Sequence, residues 1–501
     1  MLPAERLIAA LIDPARRERA VLGVLVSYVA IWTLYGVFAK ASQDIHFDMA
    51  ELAAWSRTLA FGYSKHPPLA AWLVRAWFTL FPAADWAYYL LAIIVVAVAL
   101  WVAWRLFGCY FDGEKRVVAL ALLTFIPFFN FHALKFNPNT VLLPLWAATT
   151  LWFIRSLETR GRLDAALAGV GAAACMMGKY WSIFLLAGLG LVALIDPRRG
   201  TYFRSAAPWI TIFAGAIALL PHVIWLLAND FLPFSYAIEV HGMGSFNSIA
   251  MRTAGYLAGA AGYAALPVLV VLSMIRPGRA ALADVLKPST PERRLAAATF
   301  WAPLLLPVIF APLFGIEINS LWTMSAWTLL PVVLLSSPHL TVTRKVAVRI
   351  VAIAIVVPFV LLAVSPFIAG AIHRAGVVPS AAHSRLAAEQ IARVWHEATG
   401  RPLRFVGGDA VLAYGAAFYL SERPLTFPEL NARISPWIDQ QQLVQAGIAL
   451  VCPAADRGCA GKIEALAGTG GRRTEIEITR SYFGVAGSPA RYLIIIVPPR
   501  P

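Results

Sequence analysis

The chain has 501 residues, of which 59% are hydrophobic and 14% charged. Soluble proteins carry about 25% charged residues, so this composition excludes an ordinary soluble protein and predicts a polytopic membrane protein. The net charge of +15 does not indicate nucleic-acid binding, because the basic residues lie between hydrophobic runs and form no continuous patch. The expected anionic partner is lipid phosphate.

Hydrophobic runs separated by short polar loops fill the first three quarters of the chain. The first, from about Val21 to Ala39, follows a short N-terminal helix and is longer than the roughly 7–15 apolar residues of a signal peptide, so we interpret it as an uncleaved span. Further runs long enough to cross about 30 Å of hydrocarbon are predicted at residues 84–105, 116–134, 138–155, 163–178, 180–195, 206–227, 250–275, 295–314, 320–337 and 347–370. The predicted fold is an all-α polytopic membrane domain of about eleven transmembrane helices.

The distribution of Lys and Arg predicts the orientation of these spans. Alternate loops, such as residues 155–162 and 198–204, are rich in arginine, and cytoplasmic loops carry such an excess. The N-terminus is therefore expected in the cytoplasm, and an odd number of spans places the C-terminus outside. The predicted organisation is a transmembrane domain over residues 1–374, with a first external loop at 40–83, and an external domain over 375–501.

Acidic residues concentrate in this first external loop. A helix predicted from Asp48 to about Phe61, and stopped by Pro67 and Pro68, places Asp48 and Glu51 on one stripe because residues three apart are neighbours. With one polar side, the helix is expected at the membrane interface.

The carboxylates of the loop differ in their surroundings. Asp44 is expected to be solvated, as most surface carboxylates are. Asp48 and Glu51 are embedded in apolar sequence near basic residues, so we interpret them as the catalytic candidates.

Cations are rare in the loops predicted to face Asp48. One alone is most simply a snorkelling anchor, whereas several on one face would bind a phosphate or pyrophosphate. The predicted binding residues are Arg57, Lys65, His66, Lys135, Lys179 and Tyr180, and further candidates for the same cavity are His241, Glu317 and Asn319.

The tail from about Ser380 changes character. Helices are predicted at residues 386–398 and 436–446, and strands at 403–406, 448–451, 475–479 and 492–497, which together form a small α/β domain. Gly407-Gly408-Asp409 is interpreted as a turn with a helix cap. Cys452 and Cys459 lie in this polar region, and a disulfide between them would fit an oxidising compartment.

Several segments resemble a known family. Residues 48–51 (DMAE), 59–63 (LAFGY) and 66–72 (HPPLAAW) resemble the first external loop of GT-C glycosyltransferases. Residues 136–146 (FNPNTVLLPLW), 178–180 (GKY) and 221–225 (PHVIW) resemble segments of bacterial members. The nearest group is the protein O-mannosyltransferase-like family, which includes the aminoarabinose transferases that act on lipid A.

The resemblance implies a function. It implies a polyprenyl-phosphate-linked sugar donor, inversion at the anomeric carbon, and an acidic residue of the first loop as base, a position that Asp48 matches best. Members often show adjacent Asp and Glu, so the division of roles between Asp48 and Glu51 stays open. The implied location is the bacterial inner membrane with a periplasmic tail, and the acceptor would be lipid A, a polysaccharide or a protein.

Two other classes of protein are considered. A lipid or small-molecule transporter or flippase would carry ionisable residues at mid-membrane depth and paired broken helices, but the predicted spans are nearly free of charge. A non-catalytic scaffold would not need the acidic and basic loop residues. No cofactor is required by these patterns and no zinc spacing occurs, although two carboxylates can also hold a divalent metal ion.

Overall fold

The computed structural model describes residues 3–242 and 244–500, which pack into two units. The helical unit comprises the chain up to Trp32, Lys65–Leu69 and Ala92–Val360. The mixed unit comprises Thr33–Ser64, Ala70–Leu91 and the chain from Leu361 onward. The chain thus changes unit between Ser64 and Lys65, inside the stretch where acidic and basic side chains concentrate.

The helical unit is built from α-helices with short 3-10 and π segments. Its residues contribute to the helices Pro3–Ile12, Arg17–Ala39, Asp85–Phe107, Gly113–Thr124, Pro138–Thr159, Arg162–Gly178, Ile183–Ile195, Arg199–Phe203, Ala207–Ala228, Leu232–His241, Phe246–Val270, Arg279–Leu286, Pro291–Phe314, Leu330–Leu335 and Arg344–Gly376. The 3-10 segments are Pro127–Phe129, Tyr180–Ser182 and Ser320–Leu329, and Val271–Ile275 is a π-helix.

Within the described residues, seven helices are long and apolar enough to cross a membrane. They are Arg17–Ala39, Asp85–Phe107, Pro138–Thr159, Ala207–Ala228, Phe246–Ile275, Pro291–Phe314 and Arg344–Gly376. A mostly helical polytopic domain is therefore confirmed, and the number of eleven spans stays a prediction.

The structure differs most from the predicted spans in four places, where the helices are shorter or less regular than expected. At residues 116–134 the helix Gly113–Thr124 has 12 residues, and it ends before Pro127, which lacks an amide donor and begins a 3-10 turn. At residues 320–337 a 3-10 segment of ten residues precedes the short helix Leu330–Leu335. The helices Arg162–Gly178 and Tyr180–Ile195 also fall below 18 residues.

The C-terminal part of the mixed unit is an α/β domain, as predicted. Its strands are β1 (Phe405–Gly408), β2 (Leu425–Pro428), β3 (Ile448–Pro453), β4 (Arg472–Ile478), β5 (Ser481–Tyr482), β6 (Val485–Ala486) and β7 (Ala490–Val497). The main sheet has the order β2-β1-β3-β7-β4, in which β1 pairs in parallel with β2 and β3, and β7 runs antiparallel to β3 and β4. The helices of the unit include Phe47–Trp55, Leu69–Leu80, Pro379–Ala382, Ser384–Thr399, Ala410–Tyr419, Gln440–Ala446 and Arg457–Ala467.

The central strands of the sheet are buried on both faces. Alternate residues of each strand point to opposite sides, and a hydrophobic cluster lies on each side. Val406 and Ile494 pack with Trp395 of Ser384–Thr399 on one face, while Leu450 and Ile463 belong to the core on the other. Two covered faces explain why residues 448–453 and 492–497 appear in the sequence as continuous apolar runs.

Two local predictions for this domain are confirmed. Gly408 has φ +106°, and a Cβ there would lie 2.2 Å from the Val451 carbonyl oxygen, so the turn requires glycine. Asp409 then caps Ala410–Tyr419 by accepting from Leu412 N at 3.0 Å. Cys452 and Cys459 form a disulfide with a Cα–Cα distance of 5.9 Å.

Candidate functional site

The acidic residues predicted to be catalytic lie on the helix Phe47–Trp55 of the mixed unit. His46 caps this helix, and its Nδ1 accepts from Asp48 N at 3.1 Å. Asp48 lies in the first turn with 27% of its side chain exposed, and its Oδ1 is 3.6 Å from His46 Nδ1. Glu51 follows three residues later and is buried, at 6% exposure. The helix therefore presents one accessible and one buried carboxylate on the same side.

This helix is shorter and more buried than the sequence predicted. It ends at Trp55, not near Phe61, because Arg75 Nη1 donates to the carbonyls of Ser56 at 2.9 Å and Arg57 at 3.1 Å. These carbonyls thus bond to a side chain instead of continuing the helix. Pro67 lies too far along the chain to be its terminator. Every residue from Met49 to Trp55 is buried within the protein, and the location of the helix at the membrane interface stays a prediction.

Aromatic side chains hold the helix from several directions. Tyr88 donates to Met49 O at 2.8 Å, and Trp55 stacks on Tyr63 with ring centroids 5.1 Å apart. Burial raises the pKa of Tyr63 to about 12, so its hydroxyl stays protonated and donates to Thr58 O at 2.6 Å. The segment that carries the carboxylates is therefore fixed at both ends.

Asp44 is not solvated, contrary to expectation. Its side chain is 0% exposed and lies 2.6 Å from Arg480 Nη1, and its Oδ2 accepts from Arg385 N at 3.2 Å. The Arg385 guanidinium in turn pairs with Asp85 at 2.6 Å. Local sequence could not show this, because the charged partners come from the C-terminal domain, more than 340 positions away for Arg385 and 436 for Arg480.

Arg57 also lies in the mixed unit, immediately after the acidic helix. Burial lowers its pKa, and the neighbouring Arg423 and Arg75 add to this effect. Among the described residues Arg57 forms no ion pair within 4.0 Å. This end of the helix is thus a local concentration of positive charge.

The remaining predicted cations belong to the helical unit. Lys179 follows Arg162–Gly178, and its Nζ lies 2.8 Å from Asn139 Oδ1 and 5.0 Å from the centre of the Trp322 ring. Asn139 is in the first turn of Pro138–Thr159, whose start is fixed by a capping box of Asn137 and Thr140. The amide oxygen accepts a hydrogen bond from the ammonium, and the Trp322 ring lies within the range of a cation–π contact.

Tyr180 lies beside Lys179 and has its own partners. Its hydroxyl is 3.1 Å from His222 Nε2, and its ring contacts the rings of His222 and Phe234. His222 is 1% exposed and belongs to Ala207–Ala228. The contact joins the 3-10 segment Tyr180–Ser182 to the helix Ala207–Ala228.

The other predicted binding residues are placed as follows. Lys65 Nζ lies 5.8 Å from the centre of the Tyr236 ring, and His66 and Lys135 are half-buried. Glu317 pairs with Arg252 at 3.3 Å and accepts from Ser248. Asn319 caps the following 3-10 segment, and the His241 side chain lies outside the described part of the chain.

The structure therefore distributes the candidates over the two units. Asp48, Glu51 and Arg57 share the acidic helix and its end, whereas Lys179 and Tyr180 form a second group with Asn139 and His222. The sequence analysis missed Asn139, His222 and Trp322 as partners. Asn139 and His222 lie in the segments 136–146 and 221–225 that carry the family resemblance, so the signal for them was present. Within the described residues, no group of three or more His, Cys, Asp or Glu side chains could hold a metal ion.

Parts of the chain are similar in sequence to known proteins. Residues 65–225 match the family described as dolichyl-phosphate-mannose-protein mannosyltransferase. The chain is 28% identical over 263 residues to the lipopolysaccharide core galacturonosyltransferase RgtB of Rhizobium johnstonii. This alignment covers 50% of the chain and 51% of RgtB. It is also 27% identical over 192 residues to the lipid A galacturonosyltransferase RgtD of the same organism, in an alignment that covers 37% of this chain and 39% of RgtD. The chain thus spans about half the length of these relatives, or less.

The fold matches over nearly the whole chain. The crystal structure of ArnT from Cupriavidus metallidurans bound to undecaprenyl phosphate superposes with a TM-score of 0.63 at 12% identity, over 94% of this chain and 98% of ArnT. The crystal structure of the same ArnT in the apo state superposes with a TM-score of 0.62 at 14% identity, over 95% of this chain and 98% of ArnT. The resemblance to the GT-C glycosyltransferase family is confirmed. At such low identity the structural match shows the shared fold alone, so the roles of Asp48, Glu51 and Lys179 rest on their own chemistry.

Proposed function

We propose that this GT-C-like protein is a membrane glycosyltransferase that moves a sugar from a polyprenyl-phosphate-linked donor to an envelope glycolipid, such as lipid A or the lipopolysaccharide core. The observation that carries the proposal is the match of residues 65–225 to a lipid-phosphate-sugar-dependent family, together with relatives named for transfer to lipopolysaccharide core and lipid A. Polysaccharide and protein acceptors are the alternatives.

The reaction is proposed to occur in one displacement with inversion. The acceptor hydroxyl oxygen bonds to the anomeric carbon, and the bond between that carbon and the donor phosphate oxygen breaks. The hydroxyl proton passes to a carboxylate, and the electron pair of the broken bond leaves with the polyprenyl phosphate. Because a phosphate is a good leaving group, the protein has to supply a base and cations rather than a strong acid.

Asp48 is proposed as the base. Its side chain is 27% exposed, so an acceptor can reach it, whereas Glu51 is buried at 6% and is better suited to orient a substrate. Asp48 also lies in the first turn of its helix, where the aligned backbone N–H groups favour the ionised carboxylate by about 0.3–1 kcal/mol. A base must be ionised to accept the proton.

The donor phosphate is proposed to bind the cations. Lys179 is oriented by the amide oxygen of Asn139 at 2.8 Å, and its ammonium is proposed to hold a phosphate oxygen by charge. Lys65, His66, Lys135, Tyr180 and Arg57 are the further proposed binding residues. Since no nucleotide is available outside the cytoplasm, a lipid-linked donor fits a site on the periplasmic face of the inner membrane, with the N-terminus inside.

The test is the replacement Asp48→Asn, which keeps the shape and removes the base. Turnover of a labelled lipid-linked sugar by the purified protein should fall by roughly 10²- to 10⁴-fold, while donor binding changes little. Asp112→Asn is the matched control, because Asp112 is exposed and makes no side-chain cap hydrogen bond; it should retain full turnover.

Other outcomes identify other roles. Normal turnover in Asp48→Asn with an inactive Glu51→Gln would assign the base to Glu51. Normal turnover in both would remove the first external loop from the chemistry. Movement of labelled lipid across vesicles without sugar transfer would support the transporter instead.

A further inference from the structure

A second charged feature lies in the helical unit, away from the predicted binding residues. It is a cavity of about 290 Å³ lined by four arginines, Arg17, Arg105, Arg116 and Arg155, and by one acidic residue, Glu18. Four guanidinium groups thus face a single carboxylate. Such an excess of like charge in one cavity costs free energy unless an anion is present to offset it.

The arginines are only partly neutralised by the protein. Arg105 is 3.8 Å from Glu18, and Arg155 pairs with Asp164 at 3.2 Å. In the described chain, neither Arg17 nor Arg116 has a carboxylate within 4.0 Å. Both guanidinium groups instead donate to backbone carbonyls.

Arg116 is the most fixed of the four. Its side chain is buried, at 8% exposure. It donates to Trp104 O from Nε at 3.1 Å and from Nη2 at 2.8 Å, and its guanidinium carbon lies 4.0 Å from the centre of the Trp104 ring. Arg17 donates to Ile12 O at 3.2 Å, while its buried Nε has no hydrogen-bond partner in the described structure. A buried donor without a partner is a costly arrangement that an oxyanion would relieve.

The cavity lies where helices reach the membrane surface. Arg17 begins the candidate span Arg17–Ala39, Arg105 lies in the last turn of Asp85–Phe107, and Arg155 lies four residues before the end of Pro138–Thr159. Asn139, the partner of Lys179, is at the other end of Pro138–Thr159, about 24 Å away at 1.5 Å per residue. The cavity is therefore separate from the Lys179 group.

The side chains next to the cavity show what kind of anion fits. Leu22, about one turn further along its helix than Glu18, is 62% exposed, and Trp101, one turn before Arg105, is 46% exposed. Exposed apolar residues on candidate spans face hydrocarbon, and tryptophan favours the interface between headgroups and acyl chains. A ligand with a phosphate and two acyl chains would satisfy both the arginines and these residues, whereas a soluble phosphate would contact only the arginines.

We propose that this cavity binds the phosphate headgroup of an anionic phospholipid. The arginines would hold the phosphodiester oxygens, and the acyl chains would lie along Leu22 and Trp101. Basic pockets between transmembrane helices on the cytoplasmic side bind such headgroups in general, and this end of Arg17–Ala39 is the one predicted to face the cytoplasm. The proposal does not depend on the proposed glycosyltransferase activity.

The test is a titration of phosphatidylglycerol into the delipidated full-length protein in a zwitterionic detergent, followed by native mass spectrometry. Arg105→Gln and Arg155→Gln should each weaken binding about fivefold, from the contribution of one basic residue near a lipid phosphate, and the double variant about 25-fold. Both side chains are 51% exposed, so these changes leave the fold intact. Arg162→Gln is the matched control, because Arg162 is exposed on the same predicted face but does not line the cavity.

Three results would overturn the proposal. The first is an equal loss of binding in Arg162→Gln, which would mean a general attraction to the surface. The second is equally tight binding of zwitterionic phosphatidylcholine, which would remove the role of the arginines. The third is competition by inorganic phosphate or glycerol phosphate at the concentration of the lipid, which would assign the cavity to a soluble anion. Arg105→Lys, which keeps the charge, should retain most of the affinity.

Discussion

Replacing Arg480 with glutamine is expected to destabilise the mixed unit, because it leaves a buried carboxylate without its charged partner. The Asp44 side chain is 0% exposed and lies 2.6 Å from Arg480 Nη1. The same guanidinium donates to the carbonyls of Ala382 at 3.1 Å, Ala41 at 3.3 Å and Gln43 at 3.4 Å. Of the two hydrogen bonds described for the Asp44 carboxylate, Arg480→Gln would leave only the one from the backbone N–H of Arg385, at 3.2 Å.

The size of the effect follows from this geometry. Removing one partner of a buried ion pair costs about 3–5 kcal/mol. We expect about 3 kcal/mol here, at the lower end of that range, because Arg480 is 17% exposed and the Arg385 N–H still solvates the carboxylate. For a unit of this size, 1 kcal/mol lowers Tm by about 2–4 °C, so the expected decrease is about 6–12 °C.

The assay is thermal unfolding of the full-length protein in detergent, with Arg491→Gln as the matched control. Arg491 pairs with Glu477 at 3.0 Å, but the two side chains are 71% and 54% exposed, so water screens the pair and that variant should leave Tm nearly unchanged. The double variant Asp44→Asn with Arg480→Gln should recover part of the loss, since no buried charge remains. A Tm for Arg480→Gln equal to that of Arg491→Gln would refute the reasoning.

Three further predictions concern the donor group and the C-terminal domain. Asn139→Ala removes the amide oxygen at Lys179 Nζ and should raise the Kd for polyprenyl phosphate several-fold with kcat at saturation unchanged; a fall in kcat alone would contradict it. Reduction of the Cys452–Cys459 disulfide should lower stability by about 2–3 kcal/mol on the chain-entropy model, measured as a shift in Tm that the variant Cys452→Ser no longer shows. Burial lowers the pKa of His383 in the folded state, so as the pH falls this histidine is protonated in the unfolded state at a higher pH than in the folded state. The free energy of unfolding should therefore decrease as the pH drops below about 6.5. His383→Asn should make the free energy of unfolding less dependent on pH in this range, and an unchanged pH dependence would contradict the prediction.

The parts of the fold that could be predicted are those with a local pattern. The strand at residues 490–497 contains the continuous apolar run 492–497, and the predicted span at Asp85–Phe107 is a long apolar segment with arginine in its last turn. Each pattern depends only on neighbouring residues. For the same reason Asp48 and Glu51 could be placed on one side of one helix before the structure was known.

The parts that could not be predicted depend on residues far apart in sequence. Asp44 looks like an ordinary loop carboxylate, and only the fold shows that Arg480 reaches it. The end of the acidic helix at Trp55 is equally hidden, because it depends on Arg75, which lies 19 residues beyond the carbonyl of Ser56. Local propensity allowed the helix to continue, but the carbonyls of Ser56 and Arg57, just beyond its end, accept hydrogen bonds from Arg75.

The length of the acidic helix explains why the C-terminal domain matters for the proposed chemistry. Phe47–Trp55 has nine residues, fewer than the roughly 12–15 that an isolated helix needs to be stable in water. Tertiary contacts must therefore define its position, and the domain supplies several of them. Tyr414 lies 5.5 Å from the Phe47 ring, Tyr419 accepts from Ile45 N at 2.9 Å, and Arg480 holds Asp44. A base must be placed to within a fraction of an ångström to accept a proton in the transition state. We infer that the C-terminal domain fixes the position of Asp48, the proposed base, and contributes no reacting group itself.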